Sequence, residues 1–93
     1  MQYIKVQWMH EFRDEPILIY SEIDDVGWEL RKVEIYRNGY ASFASKTISA
    51  GTSMLSVEPL PSPSEIASDP QFKTERINKE EFDNIWDRYT RKK

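Results

Sequence analysis

Residues 2–10 alternate: Ile4, Val6 and Trp8 fall on one side, and Tyr3, Lys5, Gln7 and Met9 on the other. That period of two predicts a strand with one face buried. Asp14 and Pro16 mark the following stretch as a connector, and Ile17–Ile23, rich in β-branched and aromatic residues, predicts a second strand. Asp24-Asp25-Val26-Gly27 turns the chain, with Gly27 free to adopt positive φ. A third strand is predicted from Trp28 to Arg37, but its alternation slips: Trp28 and Leu30 share one phase, Val33 and Ile35 the other. Either a bulge near Arg31-Lys32 resets the register or both faces are partly covered. Asn38-Gly39 then predicts a type I′ hairpin turn into a fourth strand, Tyr40–Lys46.

From Thr47 to Pro63 the composition shifts to Ser, Thr, Gly and Pro. Residues 54–57 could add a short edge strand, but their flanks favour a loop wrapped on the body. Ser62-Pro63-Ser64-Glu65 has the form of a capping box with proline at the first helical position, and Asp69-Pro70 stops that helix early. A longer helix starts at Asn78, with Glu81 three residues on and Ile77 and Phe82 placed as a hydrophobic staple. Phe82, Ile85, Trp86 and Tyr89 form its apolar stripe, and Arg88, Arg91, Lys92 and Lys93 complement the dipole at its end. The expected architecture is α+β: an antiparallel meander of three to five strands, with the C-terminal helix and a short preceding helix packed on one face.

Length limits this to a single domain, residues 1–93, with a small core. The absence of cysteine excludes disulfides, thiolate metal sites and a cysteine nucleophile. With no signal-like or membrane-spanning apolar run, a cytoplasmic location is expected. A net charge of −3 and a pI near 5.1 argue against nucleic acid as a partner, although Tyr36, Tyr40 and Phe43 beside Arg31, Lys32 and Arg37 could offer stacking surfaces.

Catalytic and cofactor patterns are missing. The single histidine, His10, has Glu11 and Asp14 nearby but no set of convergent ligands, and reads as a strand-end side chain hydrogen-bonded locally. Eight serines lie between Ser42 and Ser68, none in a nucleophile-elbow motif, and three glycines cannot form a phosphate-binding loop. No metal is expected, because Glu22, Asp24, Asp25 and Glu29 do not follow calcium-loop spacing. No cofactor is expected, and the chain is not expected to be an enzyme.

Residues 11–29 contain seven acids and one base, a local charge of −6 against −3 for the whole chain. Glu11, Asp14, Glu15, Glu22, Asp24, Asp25 and Glu29, with Trp28 among them, have the composition of an aromatic anchor in an acidic rim. Such a surface suits a basic protein partner; a solvated, solubilising face is the competing reading.

Several segments together resemble a known family: Tyr3-Ile4-x-Val6-x-Trp8-x-His10, Asp14-Glu15-Pro16, Tyr20-Ser21-Glu22-Ile23-Asp24, Glu29-x-Arg31-Lys32-Val33-Glu34-Ile35-Tyr36-x-x-Gly39 and Phe82-x-x-x-Trp86. They are similar to a family of small bacterial proteins known only as a domain of unknown function. The resemblance covers nearly the whole chain and implies a free-standing intracellular bacterial protein; it carries no catalytic residues. By analogy with other small acidic bacterial proteins, the expected function is that of an immunity protein, an inhibitor that masks a basic toxin domain. A small-molecule or enzymatic domain with a pocket between sheet and C-terminal helix is the alternative, and a homo-oligomer paired through an edge strand is a third reading.

Overall fold

The computed structural model describes residues 1–51, 53–56 and 59–91. Strands β1 (Gln2–Trp8), β2 (Leu18–Ile23), β3 (Glu29–Ile35), β4 (Ala41–Ser45) and β5 (Ser49–Ala50) form a meander. Helix α1 (Pro63–Ala67) follows, then β6 (Phe72–Ile77) and helix α2 (Lys79–Thr90). The sheet has six strands in the order β5-β4-β3-β2-β1-β6, every neighbouring pair antiparallel. The α+β class and the C-terminal helix are as expected, but the strand number exceeds three to five. Two strands were not expected: β5, at Ser49–Ala50 in the stretch read as loop, and β6, which returns from α1 to lie beside β1. The β6 sequence, Phe-Lys-Thr-Glu-Arg-Ile, buries only Ile77, so no alternating pattern announced it.

The slip in the third strand has both of the proposed causes. Ile23 pairs with Glu29 but Glu22 pairs with Arg31, so Leu30 is an extra residue in β3, one position before the expected bulge. Beyond it, Arg31, Val33 and Ile35 lie on the face that α2 covers, and Lys32 and Glu34, like Glu29 before the bulge, on the opposite face. The turn at Asn38-Gly39 is not type I′, because no non-glycine residue has positive φ. Instead Gly39 N donates to Tyr36 O at 2.9 Å and Tyr36 N to Tyr40 O at 2.8 Å, a type I turn closed by a left-handed glycine at φ +87°. The β2–β3 turn has the same form: Gly27 N donates to Asp24 O, Asp24 N to Trp28 O, and Gly27 has φ +96°.

Each face of the sheet carries its own core. Under α2, Tyr3, Tyr20, Val33, Ile77 and Phe82 are buried together, with Ile85, Trp86 and Tyr89 of the helix packed against them. On the reverse face Ile4, Val6 and Ile23 meet Leu60, Ile66 and Phe72. Ile66 belongs to α1, so the short helix packs on the face opposite α2, not on the same one. A sheet this small, apolar on both sides, needs cover on both, and α1 with the chain before it supplies the second cover. Met54–Ser56 are not a strand but part of that cover, while Val57 lies outside the described residues. Both helices begin as expected: Ser62 and Glu65 complete the capping box of α1, and the Asn78 side chain accepts from Glu81 N at 2.8 Å.

Candidate functional site

The acidic stretch does not form one surface. Glu11, Asp14 and Glu15 are exposed on the connector between β1 and β2, whereas Asp24, Asp25 and Trp28 occupy the turn between β2 and β3. Those connections lie at opposite ends of β2, which has six residues, roughly 20 Å apart at about 3.4 Å per residue.

Glu22 and Glu29 lie inside the fold, on opposite faces of the sheet. Glu22 receives a bidentate pair from Arg31, Nε at 2.7 Å and Nη2 at 2.8 Å, and the same guanidinium donates to Asp83 of α2 at 2.8 Å. Arg31 also lies over the rings of Phe82 and Trp86, 4.8 and 5.3 Å from their centroids. The guanidinium holds the Glu22 carboxyl below the ordinary carboxylate range, outweighing the upward push of burial. Asp83 is lowered by its bond from Lys79 and then by Arg31, Arg31 itself is raised by its bonds to Glu22, and the Tyr3 phenol is raised by burial and by its bond to Glu22. These groups form a fork of charges that fastens α2 to the sheet.

Glu29 does the equivalent work on the other face, with its side chain only 1% exposed. Its Oε2 accepts from Ser21 Oγ at 2.9 Å, and its Oε1 accepts from Ser56 N at 2.9 Å and lies 3.1 Å from Lys32 Nζ. Lys32 in turn donates to Met54 O, while Ser53 Oγ donates to Glu34 at 2.5 Å. The covering segment is thus latched to the sheet through polar groups. Glu29→Gln is expected to cost about 2 kcal/mol, since it removes the charge from bonds worth about 1.5–3 kcal/mol and leaves the Lys32 ammonium without its carboxylate beneath the segment. Urea denaturation measures the loss, and faster proteolysis between residues 53 and 61 would mark the released latch.

Besides the connector acids, the β2–β3 turn is the part of the predicted set that reaches solvent. Asp24 Oδ1 accepts from Val26 N at 3.0 Å and Trp28 N at 2.9 Å, and Leu60 N donates to Gly27 O at 2.8 Å, so the turn is tied to itself and to the covering segment. Asp25, at its tip, accepts from the Met1 ammonium at 2.7 Å. Trp28 is 41% exposed, with Val26 at 71% and Ile48 of the β4–β5 turn at 47%. Trp28 and Ile48 rim a groove of about 680 Å³ whose walls include Leu30, Leu55 and Trp86. Ile48, Leu30 and Leu55 escaped the sequence reading because only the bulge and the second cover bring them beside Trp28.

His10 lies away from this groove, at the far end of β1. Its Nε2 bonds Pro16 O at 2.8 Å and its Nδ1 accepts from Phe12 N at 2.9 Å, which assigns the Nε2–H tautomer. Trp8 and Phe12 pack against its ring. The contacts shape the connector and leave no ring nitrogen directed at a pocket. Among the described residues no group of three or more His, Asp or Glu side chains could hold a metal ion, and no helix is long and apolar enough to cross a membrane.

The fold and these clusters define an α+β domain: a six-stranded antiparallel sheet latched by buried ion pairs to a cover on each face, with an aromatic turn at one end. The chain belongs to the family described as Domain of unknown function (DUF6881), whose model matches residues 2–91. No curated protein and no solved structure matches it.

Proposed function

We propose that this domain works by binding another protein, as an immunity-type inhibitor of a toxin domain, and that the β2–β3 turn is its docking element. The observation that carries this reading is Trp28: a large aromatic 41% exposed on a turn whose backbone is fixed by Asp24 and Leu60. A rigid aromatic next to an apolar groove is the composition of an interface anchor, because little ordering entropy remains to be lost on binding. Asp25 beside it, whose side chain stays 90% exposed while it accepts from the Met1 ammonium, favours a basic partner, whose Arg or Lys could lie over the indole while pairing with the carboxylate. Glu11, Asp14 and Glu15, on the far connector, add long-range attraction for the same basic surface. Glu22 and Glu29, held in internal ion pairs, have no part in it.

The alternative, a small-molecule domain with a pocket between sheet and helix, draws on the same groove, since Trp86 of α2 forms one wall. Its described lining contains no histidine and no activated nucleophile, which favours binding over catalysis.

The test is capture from the source cells at low ionic strength, followed by assay of the captured protein. A stoichiometric basic partner should be retained by the wild type and by Glu15→Gln, and weakened about 30-fold or more by Trp28→Ala, the scale of an aromatic hot spot. Asp25→Lys should weaken it and flatten the salt dependence. The purified partner's own activity should fall when the domain is added. Retention by Trp28→Ala would remove the turn from the interface, and a partner whose activity is unaffected would exclude the inhibitor reading.

A further inference from the structure

The two margins of the sheet differ. β5 is two residues long, too short to template another strand, but β6 has six residues and no described strand along its outer side. Its backbone polarity follows from the register with β1. Met9 N donates to Gln71 O at 2.8 Å, and Lys73, Glu75 and Ile77 continue that phase opposite Gln7, Lys5 and Tyr3. Since antiparallel strands alternate the direction of their peptide groups, Thr74 and Arg76 present N–H and C=O outward, as Phe72 does its C=O. The Phe72 N–H is already used by Asp69 O, at 3.0 Å.

We infer that two copies of this chain pair antiparallel through β6, about a two-fold axis passing between their Thr74 residues. In that register the two Thr74 residues exchange a pair of backbone hydrogen bonds, and each Arg76 N–H meets the facing Phe72 carbonyl. Each Lys73 lies opposite the other copy's Glu75, so two opposite-charge pairs form on the α2 face. Arg76 lies opposite Phe72 on the reverse face, a cation beside an aromatic ring. Axes through Lys73, Glu75 or Arg76 instead put like charges directly opposite each other, and an axis through Phe72 shortens the overlap to the start of the strand. The sequence therefore selects one register of those the backbone allows.

With β5 so short at the other margin, the assembly closes at two copies rather than growing.

The experiment is sedimentation velocity on the whole chain from about 10 μM to about 1 mM, the range in which a small interface dissociates. The wild type should pass from the 11.1 kDa monomer to twice that mass. Lys73→Glu and Glu75→Lys should each weaken self-association about tenfold or more, because each converts two opposite-charge pairs into like-charge ones. An equimolar mixture of these two variants should restore the doubled mass as a heterodimer, and so should the double variant on one chain. Thr74→Pro removes an outward N–H that β1 does not use, so it should abolish the dimer while leaving the circular dichroism unchanged. A wild type that stays at the monomer mass throughout overturns the inference. A doubled mass that survives the single charge reversals, or a mixture that fails to restore it, also overturns the inference, whatever Thr74→Pro does to folding.

Discussion

Phe82→Ala is expected to remove about 3–5 kcal/mol of stability, the usual range for deleting a fully buried aromatic. Phe82 is 0% exposed and sits where three elements meet. Its ring is 5.6 Å from Tyr3 of β1 and 6.5 Å from Trp86, and the Arg31 guanidinium of β3 lies 4.8 Å above it. In a chain of 93 residues that loss is a large part of a total stability of order 5–15 kcal/mol, and it should lower Tm by roughly 15–30 °C. Thermal melting by circular dichroism checks it. A loss below about 1.5 kcal/mol would mean that α2 is not the lid of this core.

Arg31→Met should be nearly as severe at neutral pH, and its cost should depend on pH in a way that Phe82→Ala does not. The substitution keeps much of the aliphatic contact with Phe82 and Trp86 but leaves Glu22 and Asp83 facing each other without their shared cation. Removing one partner of a partly buried ion pair costs about 3–5 kcal/mol. In the wild type both carboxyls titrate below their ordinary range when folded. Their contribution is therefore present above the unfolded-state values and is lost as pH falls through the lower folded ones. Without Arg31 the sign reverses for Glu22: burial, a larger effect than the remaining lowering bond from Tyr3, pushes its pKa up together with the Asp83 charge, and the guanidinium no longer opposes them. The variant should gain stability as the pH is lowered from 7 towards 4, while the wild type loses it. Urea denaturation at the two pH values should show the gap between them shrinking by more than half. A gap that does not change with pH would assign Arg31's contribution to its stacking on the rings. Arg31→Lys should recover only part of the loss, because an ammonium cannot form the planar fork or stack in the same way.

Much of the fold could be read from local chemistry. The alternation of β1, the glycine turns and the two helix starts each depend on residues a few positions apart, and they appear where those residues predict them. The turn at Gly39 was located correctly but typed wrongly as I′, since Asn-Gly serves a type I turn with a closing glycine as readily when Arg37 joins the loop. β6 was illegible because a margin strand buries one residue in six and gains its identity from β1, more than sixty residues earlier. The same non-locality hid the candidate site. In the sequence Glu22 and Glu29 are two acids in an acidic run. Only the bulge at Leu30 brings Arg31 opposite Glu22, and only the covering segment brings Ser56 to Glu29. Trp28 was legible as a candidate anchor because it follows a turn and stands among acids, whereas nothing local distinguished Asp25 from the other acids of the run.

The position of β1 has a consequence for how the chain is made. Of the described strands β1 is synthesised first and its neighbour β6 last, and Phe82, which covers Tyr3, comes later still. At about 5–20 residues per second, the ribosome adds the stretch from Ile23 to Ile77 in roughly 3–11 s. Throughout that interval the nascent meander presents an open, partly apolar edge along β1 to every other chain in the vicinity. Mutations that slow translation after β4 or truncate the chain before Phe72 should therefore produce aggregates rather than a smaller folded domain.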